Sequence, residues 1–300
     1  MSENTTYRVY GYRWLVLALY GLATVVIQLM WTTFFSITTE AWQFYGFAGA
    51  QTGENAISML SVIFMVGMIV LSVPAMAIFE KAGFKKSVGF GVVLTGVCAM
   101  VRGVWGTSFT AVLIATAGFA VAQPFILNAP GLVAGKWFPE NERATANSVG
   151  MLCNYVGMCV GLLLTPILLQ AGCDVRAALL IYGVVGAVTA VLFLVFVKEQ
   201  PPTPPCAPEL AARESFGAGM KSVMKKRGFV LTLVTFFFLL GVFNIFFTMI
   251  EPILKTCSGG AVDATQVGVA GVVILVAGIA GSLVISMLSD KDSRRRRLPY

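Results

Sequence analysis

Gln28, Trp31, Gln123, Asn154, Asn244 and Glu251 are polar or amphipathic side chains set inside or at the end of long apolar stretches. They fall in stripes at helical spacing: Thr24, Gln28, Trp31 and Phe35; Thr116, Ala120, Gln123 and Leu127; Asn147, Gly150, Asn154, Gly157 and Gly161; Gly241, Asn244, Thr248 and Glu251. A glutamine in hydrocarbon is costly unless it meets a neighbouring helix, water or a solute, and Gln28, Gln123, Asn154 and Asn244 can serve either purpose. Trp31 lies 17 residues after Trp14, about 25 Å along a helix, too deep for an anchor at the same surface. Its ring face can hold an organic cation, worth about 2 kcal/mol when desolvated; core packing is the plainer alternative. Glu251 can draw a cation or take a proton, but a place among wet outer headgroups, paired with Lys255 one turn on, is preferred.

The chemistry open to these residues is recognition rather than catalysis. There is no histidine, the commonest general base and metal ligand. The six cysteines form no Cys-x-x-Cys pair, and no nucleophile motif is present. No enzyme activity, metal or cofactor is expected. Cys173 and Cys257 fall in loops on one side, where a disulfide is an open possibility.

The elements that must position these side chains are membrane spans. The 300 residues are 57% hydrophobic and only 12% charged, against about 25% charged in a soluble domain. Apolar blocks at 14–38, 56–79, 87–106, 109–135, 145–169, 176–197, 228–254 and 266–288 each exceed the ~20 residues that cross a bilayer. With the N-terminus inside, 18 of the 21 basic residues face the cytoplasm and three, Arg102, Arg176 and Lys255, face out, as the positive-inside rule requires. The net charge of +7 is therefore a topology signal and no nucleic-acid partner is expected. Arg102, at the end of span 3, is expected to snorkel to the outer surface. The Asn4-Thr5-Thr6 sequon falls on the cytoplasmic side and is expected to go unused.

Three parts follow. Residues 1–198 hold six spans. Residues 199–227 form a stiff, solvated linker, since Pro201, Pro202, Pro204 and Pro205 deny a helix its donors. Residues 228–300 hold two more spans and a basic inner loop. The loop after span 2, with Glu80, Lys81, Gly83, Lys85 and Lys86, has a counterpart after span 8 in Asp290, Lys291, Arg295 and Arg296, with the two acids 210 positions apart. Such spacing fits two homologous six-span halves, a parallel repeat. The pattern resembles motif A of the major facilitator superfamily, in which an acid at a helix end and nearby basic residues form inner-face contacts remade during alternating access. Met76 and Ser293 stand where that motif carries glycine. Trp137-Phe138-Pro139-Glu140-Asn141-Glu142-Arg143 resembles the same superfamily's signature between spans 4 and 5. The resemblance implies an all-α, major-facilitator-type bundle whose second half needs four further spans, so the chain is expected to be a fragment or a short form.

Arg13-Trp14, the Trp31 segment, Ala122 to Pro130, Asn154-Tyr155-Val156-Gly157 and Gly161 to Pro166 together resemble the feline leukaemia virus subgroup C receptor family. The resemblance covers spans 1 to 5 well and spans 6 to 8 loosely. It implies transport of choline or ethanolamine, with haem export as the alternative, and a site pairing a span-1 tryptophan with a span-4 glutamine. Trp31 and Gln123 occupy those positions. The family's span-7 tyrosine is replaced by Asn244, which removes one aromatic wall. The expected protein is a monomeric plasma-membrane carrier of a small amine, with a small solute and the lipid bilayer as its partners; a carrier of haem or another metabolite, or a non-transporting membrane receptor on the same fold, is the alternative. No acid lies in the middle of spans 1 to 6, so facilitated diffusion rather than proton coupling is expected.

Overall fold

The structure, a computed structural model, describes residues 8–205 and 222–295, with side chains in the last helix as far as Gly281. Asn4 to Thr6, Cys206, most of the linker, Arg296 and the side chains of Asp290, Lys291 and Arg295 lie outside the described residues. Helix α1 (Tyr12–Thr32) ends at a turn in which Thr32 and Phe34 carbonyls accept from Phe35 and Ile37, and a short α2 (Thr38–Phe44) follows. Helix α3 (Ala50–Ala82) gives way to α4 (Phe84–Val104) at a single residue, Gly83, whose φ of 82° is open to glycine and strained for other residues.

Ser108 caps α5 (Phe109–Leu127), and Pro130 opens α6 (Pro130–Trp137), a position where its missing N–H costs nothing. Pro139 precedes α7 (Glu140–Gln170), with Glu140 and Glu142 in the first turn where the helix dipole favours negative charge. Asp174 caps α8 (Val175–Phe196) by accepting from Ala177 at 2.7 Å. Helices α9 (Arg227–Thr248), α10 (Ile250–Cys257) and α11 (Ala264–Arg295) complete the described chain.

Eight helices among the described residues are long and apolar enough to cross a membrane, α5 and α6 counting as one. Ile69, Ile114, Val195 and Phe238 point outward, each nearly two-thirds exposed, which suits hydrocarbon and not water. Helix α4 packs on α8 and α5, α3 on α5, α1 on α7 and α8, and α11 on α7. Successive spans alternate in direction, so Arg13, Lys81, Lys85, Lys136 and Lys198 gather at one end, called here the basic end. Arg13 there pairs with Glu142 at 3.0 Å.

The structure corrects several expectations. The predicted basic loops are largely helix: Glu80 and Lys81 lie in the last turn of α3, Lys85 in the first turn of α4, and Asp290, Lys291 and Arg295 within α11. The start of the linker is not free in solvent, because Tyr10 Oη and Thr203 Oγ1 bond at 2.8 Å and Pro201 is buried. Cys173 and Cys257 are free thiols.

Arg102 does not reach a surface. It is 2% exposed and donates to Met30 O at 3.0 Å, with its guanidinium 4.6 Å from the Phe34 ring and 5.7 Å from Phe119. A carbonyl in the last turn of α1 and two aromatic faces are the partners it finds in place of water.

Candidate solute-binding site

A cavity of about 660 Å³ opens where α1, α3, α5 and α7 face α9 and α11. Gln28, Trp31, Gln123, Asn154 and Asn244 all line it, so the structure brings the five expected binding residues to one place. Gln28 Nε2 donates to Asn154 Oδ1. That bond needs α7 close to α1, and Gly157 permits it: a Cβ there would stand 2.8 Å from both Val25 Cα and Gln28 Cβ. The pair thus serves helix packing, yet Gln28 Oε1 is left buried without a hydrogen-bond partner. Gln123 Oε1 is in the same state, on a residue only 6% exposed. Asn244 Nδ2 donates to Leu240 O of its own helix at 2.8 Å.

Trp31 is half-buried against the cavity. Its Nε1 donates to Ser61 Oγ at 3.2 Å, which turns the N–H toward α3. Phe35 meets its ring edge-on at 5.4 Å, Phe247 meets Phe35 at 5.7 Å, and Phe243 stacks on Phe247 at 5.4 Å. An aromatic series therefore runs from α1 to α9. Tyr155 and Phe243 line the cavity beside Asn154 and Asn244, and Met65, Met68, Met151 and Met158 complete much of its apolar wall. Sequence reasoning missed these residues as site candidates. The signal was present: Met151 and Met158 lie one turn either side of Asn154, and Phe243 adjoins Asn244.

None of the described lining residues is charged. Charges gather at the two ends instead. At the basic end Glu199 Oε1 accepts from Phe84 N at 2.9 Å, Oε2 accepts from Lys85 N at 2.6 Å, and Lys136 pairs with the same carboxylate. The acid that engages the α3–α4 turn through these bonds therefore comes from just beyond α8, and sequence reasoning did not single it out. Burial acts to raise its pKa, but the Lys136 ammonium and the two backbone N–H groups outweigh that and hold it below the ordinary carboxylate range. At the opposite end Glu251 accepts from Thr39 N and pairs with Lys255 at 2.6 Å. The expected Lys255 partner is present, but Glu251 is fully buried rather than in wet headgroups.

The sequence profile of the Major Facilitator Superfamily matches residues 20–300. The chain belongs to the Major Facilitator Superfamily. With eight apolar helices, this superfamily member is a multi-pass integral membrane protein. It is 28% identical over 298 residues to solute carrier family 49 member A3 of Danio rerio, covering 96% of this chain and 61% of that protein. It is 26% identical to the choline/ethanolamine transporter flvcr2a of Danio rerio, over 97% of this chain and 64% of the relative. A third relative, choline/ethanolamine transporter FLVCR1 of Felis catus, is 26% identical over 93% of this chain and 51% of its own length. The chain thus spans about half to two-thirds of these relatives. Among solved structures, a bacterial homologue of the human lysosomal transporter Spinster, inward-facing and unoccupied, superposes with a TM-score of 0.73 at 16% identity, over 96% of this chain and 64% of that one. That likeness speaks for the superfamily fold alone.

Proposed function

We propose that this chain forms the greater part of a carrier that moves a small organic amine or cation, of the choline and ethanolamine kind, across the membrane by alternating access. One observation carries the proposal: an uncharged cavity joins the half-buried Trp31 to two buried amide oxygens, on Gln28 and Gln123, that have no protein partner. A cation is stabilised on an aromatic face without a countercharge, and a solute hydroxyl or ammonium N–H is what an orphaned acceptor lacks. The transport named for flvcr2a and FLVCR1 points the same way. Tyr155 and Phe243 supply aromatic surface near Asn244 and offset the wall lost there. The proposed carrier is a monomer in the plasma membrane with its basic end in the cytoplasm, where positive charge is retained. Residues 1–198 and 228 onward are its two rocking bodies, joined by the 199–227 linker, and the charged turns at the basic end, Glu80, Lys81, Gly83 and Lys85 with Asp290, Lys291 and Arg295, are remade as it moves.

The test is uptake of labelled choline and ethanolamine in cells expressing this chain, alone and joined to the remaining spans of a relative. Trp31→Ala is expected to cut uptake about tenfold or more, as loss of about 2 kcal/mol of cation–π attraction implies, with surface protein unchanged. Uptake is expected to follow the solute gradient and to ignore an imposed pH gradient, because no carboxylate, lysine or arginine lines the cavity among the described residues. A well-expressed fusion that takes up neither amine would remove this substrate class.

A further inference from the structure

Ser61 is absent from the cavity wall, yet it is bonded to the residue that forms the wall's aromatic platform. Ser61 is 3% exposed. Trp31 Nε1 lies 3.2 Å from its Oγ, and Thr248 Oγ1 lies 3.1 Å from the same oxygen. An indole N–H only donates, while a hydroxyl carries one proton and two lone pairs. Ser61 therefore accepts from Trp31 and keeps the capacity to bond Thr248 as donor or acceptor. One turn earlier on α3, Ser58 Oγ donates to Met249 Sδ at 3.2 Å. Thr248 and Met249 are the residues at which α9 ends and α10 begins. Two residues further on, Glu251 fastens α10 to Thr39 at the start of α2. Thus α3 presents two serines to the α9–α10 junction, and one of them also holds Trp31.

We infer that Ser61 is a positioning residue that sets the ring plane of Trp31 and ties it to the α9–α10 junction, an inference that rests on Trp31 being the solute platform. A cation is attracted to the face of an indole, whose rim is electropositive. Phe35 packs edge-on against the ring from one side, and the bond to Ser61 fixes the N–H edge away from the cavity. Without Ser61 the N–H loses its partner and gains from turning toward the unpartnered amide oxygens of the cavity, which presents the wrong part of the ring to a cation. Through Thr248 the same hydroxyl senses the seating of the junction, so the orientation of the platform and the position of α10 depend on each other.

The experiment uses the chain with its tryptophans labelled with ¹⁵N at the indole nitrogen, in lipid nanodiscs, and the resonance of Trp31 assigned by its loss in Trp31→Phe. Ser61→Ala is expected to shift that resonance, Thr248→Val to shift it less, and Ser61→Thr to return it toward the parent position. In uptake assays on the fusion, Ser61→Ala is expected to raise KM for choline about five- to tenfold, the worth of one hydrogen bond, with Vmax held within about twofold. In Trp31→Phe, which keeps a ring but has no N–H, Ser61→Ala is expected to add nothing. An unmoved resonance overturns the bond itself, and an equal KM effect in the Trp31→Phe background overturns the positioning role. A parent fusion that takes up no amine removes the platform, and the positioning role with it; the resonance then judges the bond to Ser61 separately.

Discussion

Glu199 at the basic end and Glu251 at the opposite end are held by the same kinds of group. Each accepts backbone N–H at or near the start of a helix, and each pairs with a lysine. They differ in surroundings and in what they join. The Glu199 side chain is 36% exposed and joins α4 to the segment leaving α8, two helices that already pack closely, while Lys136 brings in α6. Glu251 is wholly buried and links α10 to the start of α2, two helices that share little other packing with each other. One set of bonds can therefore brace helices that packing already holds or join helices that share little of it. Which it does depends on whether packing would hold the parts together anyway.

The contrast is broken most directly by Glu251→Leu. It leaves the Thr39 N–H and Lys255 without their buried partner, and a loss of about 3 kcal/mol is expected, read as thermal unfolding in detergent. A loss no larger than that of Glu199→Gln would erase the distinction. Gly83→Ala follows in size. A Cβ at φ 82° would sit 2.7 Å from Glu199 Oε1, so about 1–2 kcal/mol of strain is expected. The penalty should shrink in a Glu199→Ala background, where the carboxylate is gone.

Glu199→Gln itself is expected to cost about 1 kcal/mol or less, given solvent screening. Its pH dependence has a definite sign. The folded carboxyl is held below its ordinary value, so its contribution is full above the usual carboxylate range and is lost as pH falls through the depressed value. Melting curves of parent and variant should therefore differ at neutral pH and converge in acid. Glu40→Gln should give the smallest effect, with the opposite sign. Burial and the neighbouring Glu251 charge raise the Glu40 carboxyl, and Lys255, itself raised by both acids against burial, only partly offsets them. Folding thus favours protonated Glu40, the parent gains stability as pH falls through the raised value, and the variant should be more stable at neutral pH by under about 1 kcal/mol.

The eight spans were legible because a bilayer imposes length and polarity on each one separately. The cavity was legible in the same way, since Gln28, Trp31, Gln123, Asn154 and Asn244 are each conspicuous within their own helix. What stayed hidden depends on partners far along the chain. Arg102 read as a snorkelling residue because nothing nearby in sequence announces Met30, Phe34 and Phe119 as its surroundings. Glu199 read as the first polar residue of a linker, and its partners Phe84 and Lys85 lie more than a hundred residues earlier. The length of α11 was missed because a run of charges looks like a loop, although a helix can carry such charges beyond the apolar core.

Arg102 gives the protein a fixed positive charge inside its low-dielectric interior, lodged against α1 and never neutralised by a carboxylate among the described residues. In a cell such a charge sits in the transmembrane electric field, where a full crossing is worth about 2.3 kcal/mol per 100 mV. Any rocking that carries α4 along the membrane normal moves that charge through part of the field. In the proposed carrier, the return of the empty form would then be sensitive to membrane voltage, even with a neutral solute.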